Sequence, residues 1–174
     1  MASTIFSSVD YELVIKKSRF IACIQPVADR ASAQAVVQQL WAQHPDATHI
    51  CWALLAGGQS AAVDDGEPSG TAGRPMLEVL RHHDLEGVLA TVVRYFGGVK
   101  LGAGGLVRAY TDAVAQALQR AEKVPLRRLC TQQCAVPYAM EGWMRRQLEQ
   151  SAAVLLAVEH QTQVKMQWQI AEDA

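Results

Sequence analysis

The sequence predicts an α+β chain built in two units. Three observations carry that reading. Apolar runs at strand spacing alternate with apolar stripes at helical spacing up to Pro125. Two glycine-rich loops, Asp64 to Pro75 and Gly97 to Gly105, each follow a strand and precede a helix. Beyond Pro125 the order becomes β-α-β-β, the opening of a ferredoxin-like unit (β-α-β-β-α-β). The domains are therefore expected at residues 1–125 and 126–174.

The elements follow in order. Val9, Tyr11, Leu13 and Ile15 alternate with polar neighbours, which predicts a half-buried first strand. Lys16-Lys17-Ser18-Arg19 interrupts the pattern as a hairpin or bulge, and Phe20 to Ile24 resumes it. Asp29 is placed to cap a helix whose apolar positions are Ala33, Val36, Val37, Leu40 and Trp41. Pro45 stops that helix. His49 to Ala56 is a continuous apolar run, hence a buried strand, closed by Gly57-Gly58. A short strand at Ala61 to Val63 leads into DDGEPSGTAGRP, too rich in glycine and proline for regular structure. A short helix is expected to begin at Pro75, with Met76, Val79, Leu80 and His83 on it. Val88 to Val93 is a second buried strand and runs into Arg94-Tyr95-Phe96. After the glycine loop, Val107, Tyr110, Val114, Ala117 and Leu118 mark a helix broken by Pro125. The second unit reads as a strand from Leu126 to Val136, a helix from Tyr138 to Gln150 and strands at Val154 to Val158 and Val164 to Ile170. Met140, Trp143, Met144 and Leu148 are expected on one side of that helix. The last helix and strand of a complete ferredoxin-like unit do not follow before Ala174, so this unit is expected to dock on the first or on another chain.

Half the residues are apolar and 19% are charged, a soluble globular composition. No apolar run approaches the ~20 residues of a membrane span, and the N-terminus lacks signal-peptide order, so a cytosolic protein is expected. The cysteines, Cys23, Cys51, Cys130 and Cys134, form no CxxC or Cys/His cluster, so no metal site is expected. Net charge is −1, but Arg74 to Arg146 carries eleven Lys/Arg against six Asp/Glu, an excess of +5. A basic middle hints at a nucleic-acid face, or is a solvated surface that happens to be basic.

The stretch from Val92 to Tyr110 is the centre of the functional reading. Five glycines, Gly97, Gly98, Gly102, Gly104 and Gly105, fall within nine residues ahead of a helix. Loop amides before a helix N-terminus can bind an anion, and Arg94, Lys100 and Arg108 flank them. Equally, such a loop can exist only to pack the helix tightly on the sheet. It is neither a Walker loop nor a complete G-x-G-x-x-G. Arg74, Lys16, Lys17 and Arg19 are possible extensions of a phosphate-contacting face. Arg94-Tyr95-Phe96 mixes a cation with aromatics, as single-strand binders do, although Tyr95 and Phe96 also fit the end of a core strand. In the acidic loop, Asp64, Asp65 and Glu67 could hold a hard cation or serve as acid and base with His49 assisting, or simply bond the backbone of their own turn. Cys51 shares a strand face with His49, but a buried setting argues against a reactive thiol. Were the two loops at one edge of the sheet, the three carboxylates would lie near Arg94 and Lys100.

At these loops the sequence resembles the YigZ/IMPACT family. The resembling segments are KKSRF (Lys16 to Phe20), ATHICWA (Ala47 to Ala53), DDGEPSGTAGRPMLEVL (Asp64 to Leu80) and VVRYFGGVKLGAGGLVRAY (Val92 to Tyr110). The resemblance implies a first domain like the second domain of the fifth small-subunit ribosomal protein, a sheet with helices on one face. It implies a second domain similar to the fifth domain of elongation factor G, here without its last helix and strand. It further implies regulation of translation through RNA, the ribosome or a protein partner; the residues themselves lead to no expected membrane contact and no expected cofactor. A peptidase activity also attached to bacterial members finds no metal cluster or triad in these residues. The expectation is a non-enzymatic cytosolic RNA- or ribosome-binding protein. The alternatives are a hydrolase or phosphate-handling enzyme using the DDGEP loop, and a protein-interaction regulator using the same loops.

Overall fold

Alternating and continuous apolar runs become the edge and the centre of one sheet. The computed structural model describes residues 2–126 and 129–171. The chain divides into two units, one ending at Leu126 and the other taking up the rest. The first runs β1 (Ser3–Ile5), β2 (Val9–Ile15), β3 (Ser18–Pro26), α1 (Arg30–Gln43), β4 (His49–Ala56), β5 (Gln59–Val63), α2 (Gly73–His82), β6 (Val88–Tyr95), α3 (Gly102–Leu118) and β7 (Lys123–Pro125). Five of its strands form an antiparallel sheet in the order β2-β3-β6-β4-β5. The protein is α+β, as the alternation of patterns predicts.

The resemblance implied helices on one face, and here the structure differs. Phe20, Ala22 and Ile24 of β3, Cys51 and Ala53 of β4, and Val88, Ala90 and Val92 of β6 pack with the buried faces of α2 and α3. Trp52, Leu54 and Leu89 point the other way and meet Ala33, Val36 and Val37 of α1. The reason is visible in β4. HICWALLA is apolar at nearly every position, so both its faces need cover. Asp29 caps α1 by accepting the Ser32 N–H at 2.8 Å.

Helix α2 begins at Gly73, two residues before the expected Pro75. Pro75 still falls in the first turn, where its missing N–H breaks no helical bond. The residue at the N-cap, Ala72, has no capping side chain. Asp64 does that work from across the loop. Its carboxylate accepts the N–H groups of Gly70 (2.9 Å), Ala72 (3.2 Å) and Gly73 (2.9 Å). Gly73 must be glycine, because a Cβ there would sit 2.5 Å from the Val63 nitrogen.

Helix α3 ends at Leu118, not at Pro125. Pro125 instead lies in β7, which pairs antiparallel with β1. Two three-residue strands carry no periodicity, so this ribbon is silent in the sequence.

The second unit contains β8 (Leu129–Val136), a 3₁₀ turn (Tyr138–Met140), α4 (Glu141–Gln150), β9 (Val154–His160) and β10 (Val164–Ala171). Its sheet order is β8-β10-β9, antiparallel throughout. Residues 127 and 128, expected in its first strand, lie outside the described residues. Leu148 and Met144 pack on Val164, Met166 and Trp168. Met140 and Trp143, expected on that same side, are exposed. Met140 falls in the 3₁₀ turn before α4, and Trp143 lies outside the helix face that packs on the three-stranded sheet. Among the described residues no helix is long and apolar enough to cross a membrane.

Removing the Asp64 carboxylate strips the buried Ala72 and Gly73 amides and the exposed Gly70 amide of their acceptor. Asp64→Ala is expected to lower stability by about 2 kcal/mol, at the upper end for loss of a helix cap. Urea denaturation measures it, and a change below a few tenths would show that the cap is dispensable.

Candidate functional site

The last residues of β6 carry the site. Arg94 stands opposite His49 of β4 on one side and Phe20 of β3 on the other. Its side chain is 5% exposed. Nη1 donates to both oxygens of Glu67 at 2.7 Å. The Tyr110 hydroxyl of α3 donates to Glu67 Oε2 at 2.7 Å. His49 Nε2 lies 3.1 Å from Glu67 Oε1, and its Nδ1 lies 2.6 Å from the Asp65 carbonyl oxygen. The rings of Phe20 and Phe96 lie 5.3 and 5.6 Å from the Arg94 guanidinium. Arg94 Nη2 donates to Ser18 Oγ at 3.4 Å, and the same oxygen accepts the Gly97 N–H at 3.2 Å. Arg94 Nε is buried and has no acceptor among the described residues.

The two glycine-rich loops meet here. Glu67 and Pro68 from the first and Lys100 to Ala103 from the second line a cavity of about 400 Å³. Thr48, His49, Arg94 and Phe96 complete its polar and aromatic wall, and Leu101 and Leu106 its apolar one.

The acidic loop divides its labour. Asp64 caps α2, and Asp65 Oδ2 accepts the Ile50 N–H at 2.8 Å. Only Glu67 enters the cavity, and it is already met by Arg94, Tyr110 and His49. Thr71 Oγ1 donates to the Pro68 carbonyl at 2.6 Å, closing the turn. Among the described residues, no three His, Cys, Asp or Glu side chains are grouped to hold a metal ion. Cys51 lies 3.0 Å from the Asp64 carbonyl and 3.4 Å from the Tyr110 hydroxyl. Burial pushes its thiol up to about 12, so it is protonated and unreactive at neutral pH. Burial also raises the Tyr110 hydroxyl, which remains a proton donor to Glu67.

The expected phosphate contacts separate. Arg94 is withdrawn from solvent, because its charge is matched by Glu67 inside the core. Lys100 is exposed at the cavity. Arg108 is exposed on α3. Arg74 is exposed on α2, 4.0 Å from Glu78, and lines a different groove with Val107 and Thr111. Gly97 and Gly98 belong to the loop, whereas Gly102 opens α3 and Gly104 and Gly105 lie in its first turn. Gly102 has φ +76°, but Gly104 has no positive φ and open space where a Cβ would stand. Gly97 is the position that demands glycine, since a Cβ there would overlap the Lys17 backbone carbonyl.

Sequence reasoning passed over two members of this site. Ser18 was read only as part of a basic turn, and Tyr110 only as a core position. The signal available was a tyrosine in an otherwise aliphatic stripe, since a buried hydroxyl calls for a polar partner.

Comparison with known proteins now places the chain. The sequence profile described as the Impact N-terminal domain matches residues 16–118. The chain belongs to the IMPACT family. The IMPACT family member YvyE of Bacillus subtilis is 38% identical over 172 residues, covering 97% of this chain and 79% of YvyE. An IMPACT family member of Haemophilus influenzae is 47% identical over 121 residues, covering 67% of this chain and 59% of that protein. A crystal structure of a hypothetical protein matches with TM-score 0.73 at 35% identity, over 98% of this chain and 86% of that one. The matched IMPACT domain contains every residue of the cavity described above.

Two expectations follow from this geometry. Gly97→Ala should cost about 2 kcal/mol, as overpacking against fixed backbone does, whereas Gly104→Ala should be neutral or stabilising. Urea melts of the pair check it, and equal effects would contradict the assigned geometry. Native protein treated with iodoacetamide at pH 8 should keep Cys51 unmodified until urea is added. Peptide mass spectrometry reads this, and rapid native labelling would restore a nucleophilic Cys51.

Proposed function

We propose that this chain is a non-enzymatic, cytosolic RNA-binding protein that acts in translation, its partner being RNA free or in the ribosome. The observation that carries the reading is the tip of the β2-β3 hairpin. Lys16 and Lys17 form its two-residue turn, both at positive φ (47° and 68°). Turns of this kind favour Asn-Gly, and bulky residues there cost free energy. Two lysines held in that geometry, with the Lys17 backbone against Gly97, argue for a role outside the fold. Lys100 lies three residues further along the same loop, and Phe96, just before Gly97 in the chain, is 47% exposed. Cations beside an exposed aromatic suit single-stranded RNA, with phosphates on the lysines and a base on the ring. Arg19 contributes less, since it pairs with Glu12 at 2.5 Å.

Membership of the IMPACT family supports a role in translation. The filled hydrogen-bonding capacity of Glu67 and the protonated Cys51 speak against catalysis. The antiparallel β8-β10-β9 order supports reading the second unit as the opening of a ferredoxin-like fold.

Single-stranded RNA should therefore bind with an affinity that falls as salt rises. Lys16→Ala, Lys17→Ala and Lys100→Ala should each reduce the slope of log K against log salt by about 0.7 while leaving the melting temperature unchanged. Fluorescence anisotropy across a salt series measures this. No binding at low salt, or a slope indifferent to all three lysines, would reject the proposal.

A further inference from the structure

We infer that the cavity between the two glycine-rich loops seats one unpaired nucleotide, its base inside and its phosphate at the start of α3. This rests on the RNA-binding reading and adds a site to it. The cavity, about 400 Å³, falls within the range of small-molecule pockets. Its walls match a nucleobase. Leu101, Leu106 and Pro68 offer apolar surface to the base faces, and Phe96 offers a ring to stack on. The Thr48 hydroxyl, whose oxygen accepts the Phe96 N–H, can donate its proton to the base edge, while both His49 nitrogens are taken by Glu67 and the Asp65 carbonyl.

The phosphate end is built from different parts. Helix α3 is seventeen residues long, and Leu101 at its N-cap supplies no side-chain acceptor. Its first amides therefore have no side-chain cap among the described residues, and Gly102 and Ala103 line this same cavity. Lys100 lies beside them and has no ion-pair partner among the described residues. The one acid in the wall, Glu67, is neutralised by Arg94, so it does not repel a phosphate. An independent observation points to a missing ligand. Arg94 is 95% buried by its 5% exposure and lines the cavity, and its Nε–H has no acceptor among the described residues.

The nucleotide can come from an RNA strand or be free, and the test separates the two. Adenosine, cytidine, guanosine and uridine 5′-monophosphates and inorganic phosphate are titrated by calorimetry, and a labelled oligoribonucleotide by anisotropy. At least one monophosphate should bind ten-fold or more tighter than phosphate. Phe96→Ala should weaken that binding about ten-fold, within the range for loss of one stacked base. Ala103→Phe, at an exposed position, should fill the cavity, abolish monophosphate binding and weaken the oligonucleotide, with thermal melts confirming both variants folded. An oligonucleotide that binds with a salt slope while no monophosphate binds overturns the pocket and leaves the RNA reading standing. Monophosphate binding without oligonucleotide binding keeps the pocket and removes the RNA reading. Phosphate binding as tightly as every monophosphate, or Ala103→Phe binding them like the parent, overturns the pocket. Binding of neither overturns both.

Discussion

The ion pair between Arg94 and Glu67 is the interaction on which the rest of the first unit depends. Each charge is taken out of water, which costs several kcal/mol per ion, and mutual attraction offsets this only with good geometry and further hydrogen bonds. Both conditions are met. Arg94 reaches both carboxylate oxygens at 2.7 Å, Tyr110 adds a third donor, and aromatic rings flank the guanidinium. Four separate pieces of chain are joined at this point. Glu67 brings the acidic loop, Arg94 the end of β6, Tyr110 the middle of α3, and Ser18 the start of β3. Removing one partner would leave the other charge buried without its match. The pair fixes which loops face each other more than it adds to stability.

That pair also shows how far the sequence could be read. Strands β4 and β6 were legible because their apolar runs, Ile50 to Ala56 and Val88 to Val93 with Thr91 alone intervening, have few other fates. Asp29 was legible as a cap because it stands directly before an apolar stripe at helical spacing. Asp64 was not, because it caps a helix nine residues away through the fold of its own loop. Arg94 was misread for a related reason. An arginine beside glycines and aromatics suggests a surface cation, and only the register of β6 against β3 and β4 turns it inward. The acid that neutralises it lies twenty-seven residues earlier, a separation no local pattern spans. Helix α1 on the second face is implicit in the nearly all-apolar β4, which needs cover on both sides, in contrast to the one-faced sheet that the resemblance implies.

The glycines divide along the same line. Their density announced special backbone geometry, yet each serves a different need. Gly73 admits β5 against the start of α2, and Gly97 admits the Lys16-Lys17 turn. Gly104 has neither a positive φ nor a close neighbour, and the fold gives no reason for its identity. The choice between anion binding and tight packing therefore has no single answer for the whole loop. Packing explains Gly97, while the start of α3 at Gly102 and Ala103 has no side-chain cap among the described residues, the feature on which the proposed phosphate contact rests.

The contact between Gly97 and the Lys17 backbone has a consequence for recognition. The Ser18 hydroxyl links the Gly97 amide to Arg94, so hairpin tip and glycine loop are anchored to one buried point. Two segments nearly eighty residues apart in sequence thus behave as a single rigid template. The distance between the roots of its lysines is set when the chain folds. On the proposed RNA-binding reading, a strand docking there would not have to order the backbone beneath its phosphates, which would remove part of the entropy loss that weakens binding by flexible basic tails. Selectivity would then come from spacing as well as charge, favouring a polyanion whose repeat fits the template over one that is merely more negative.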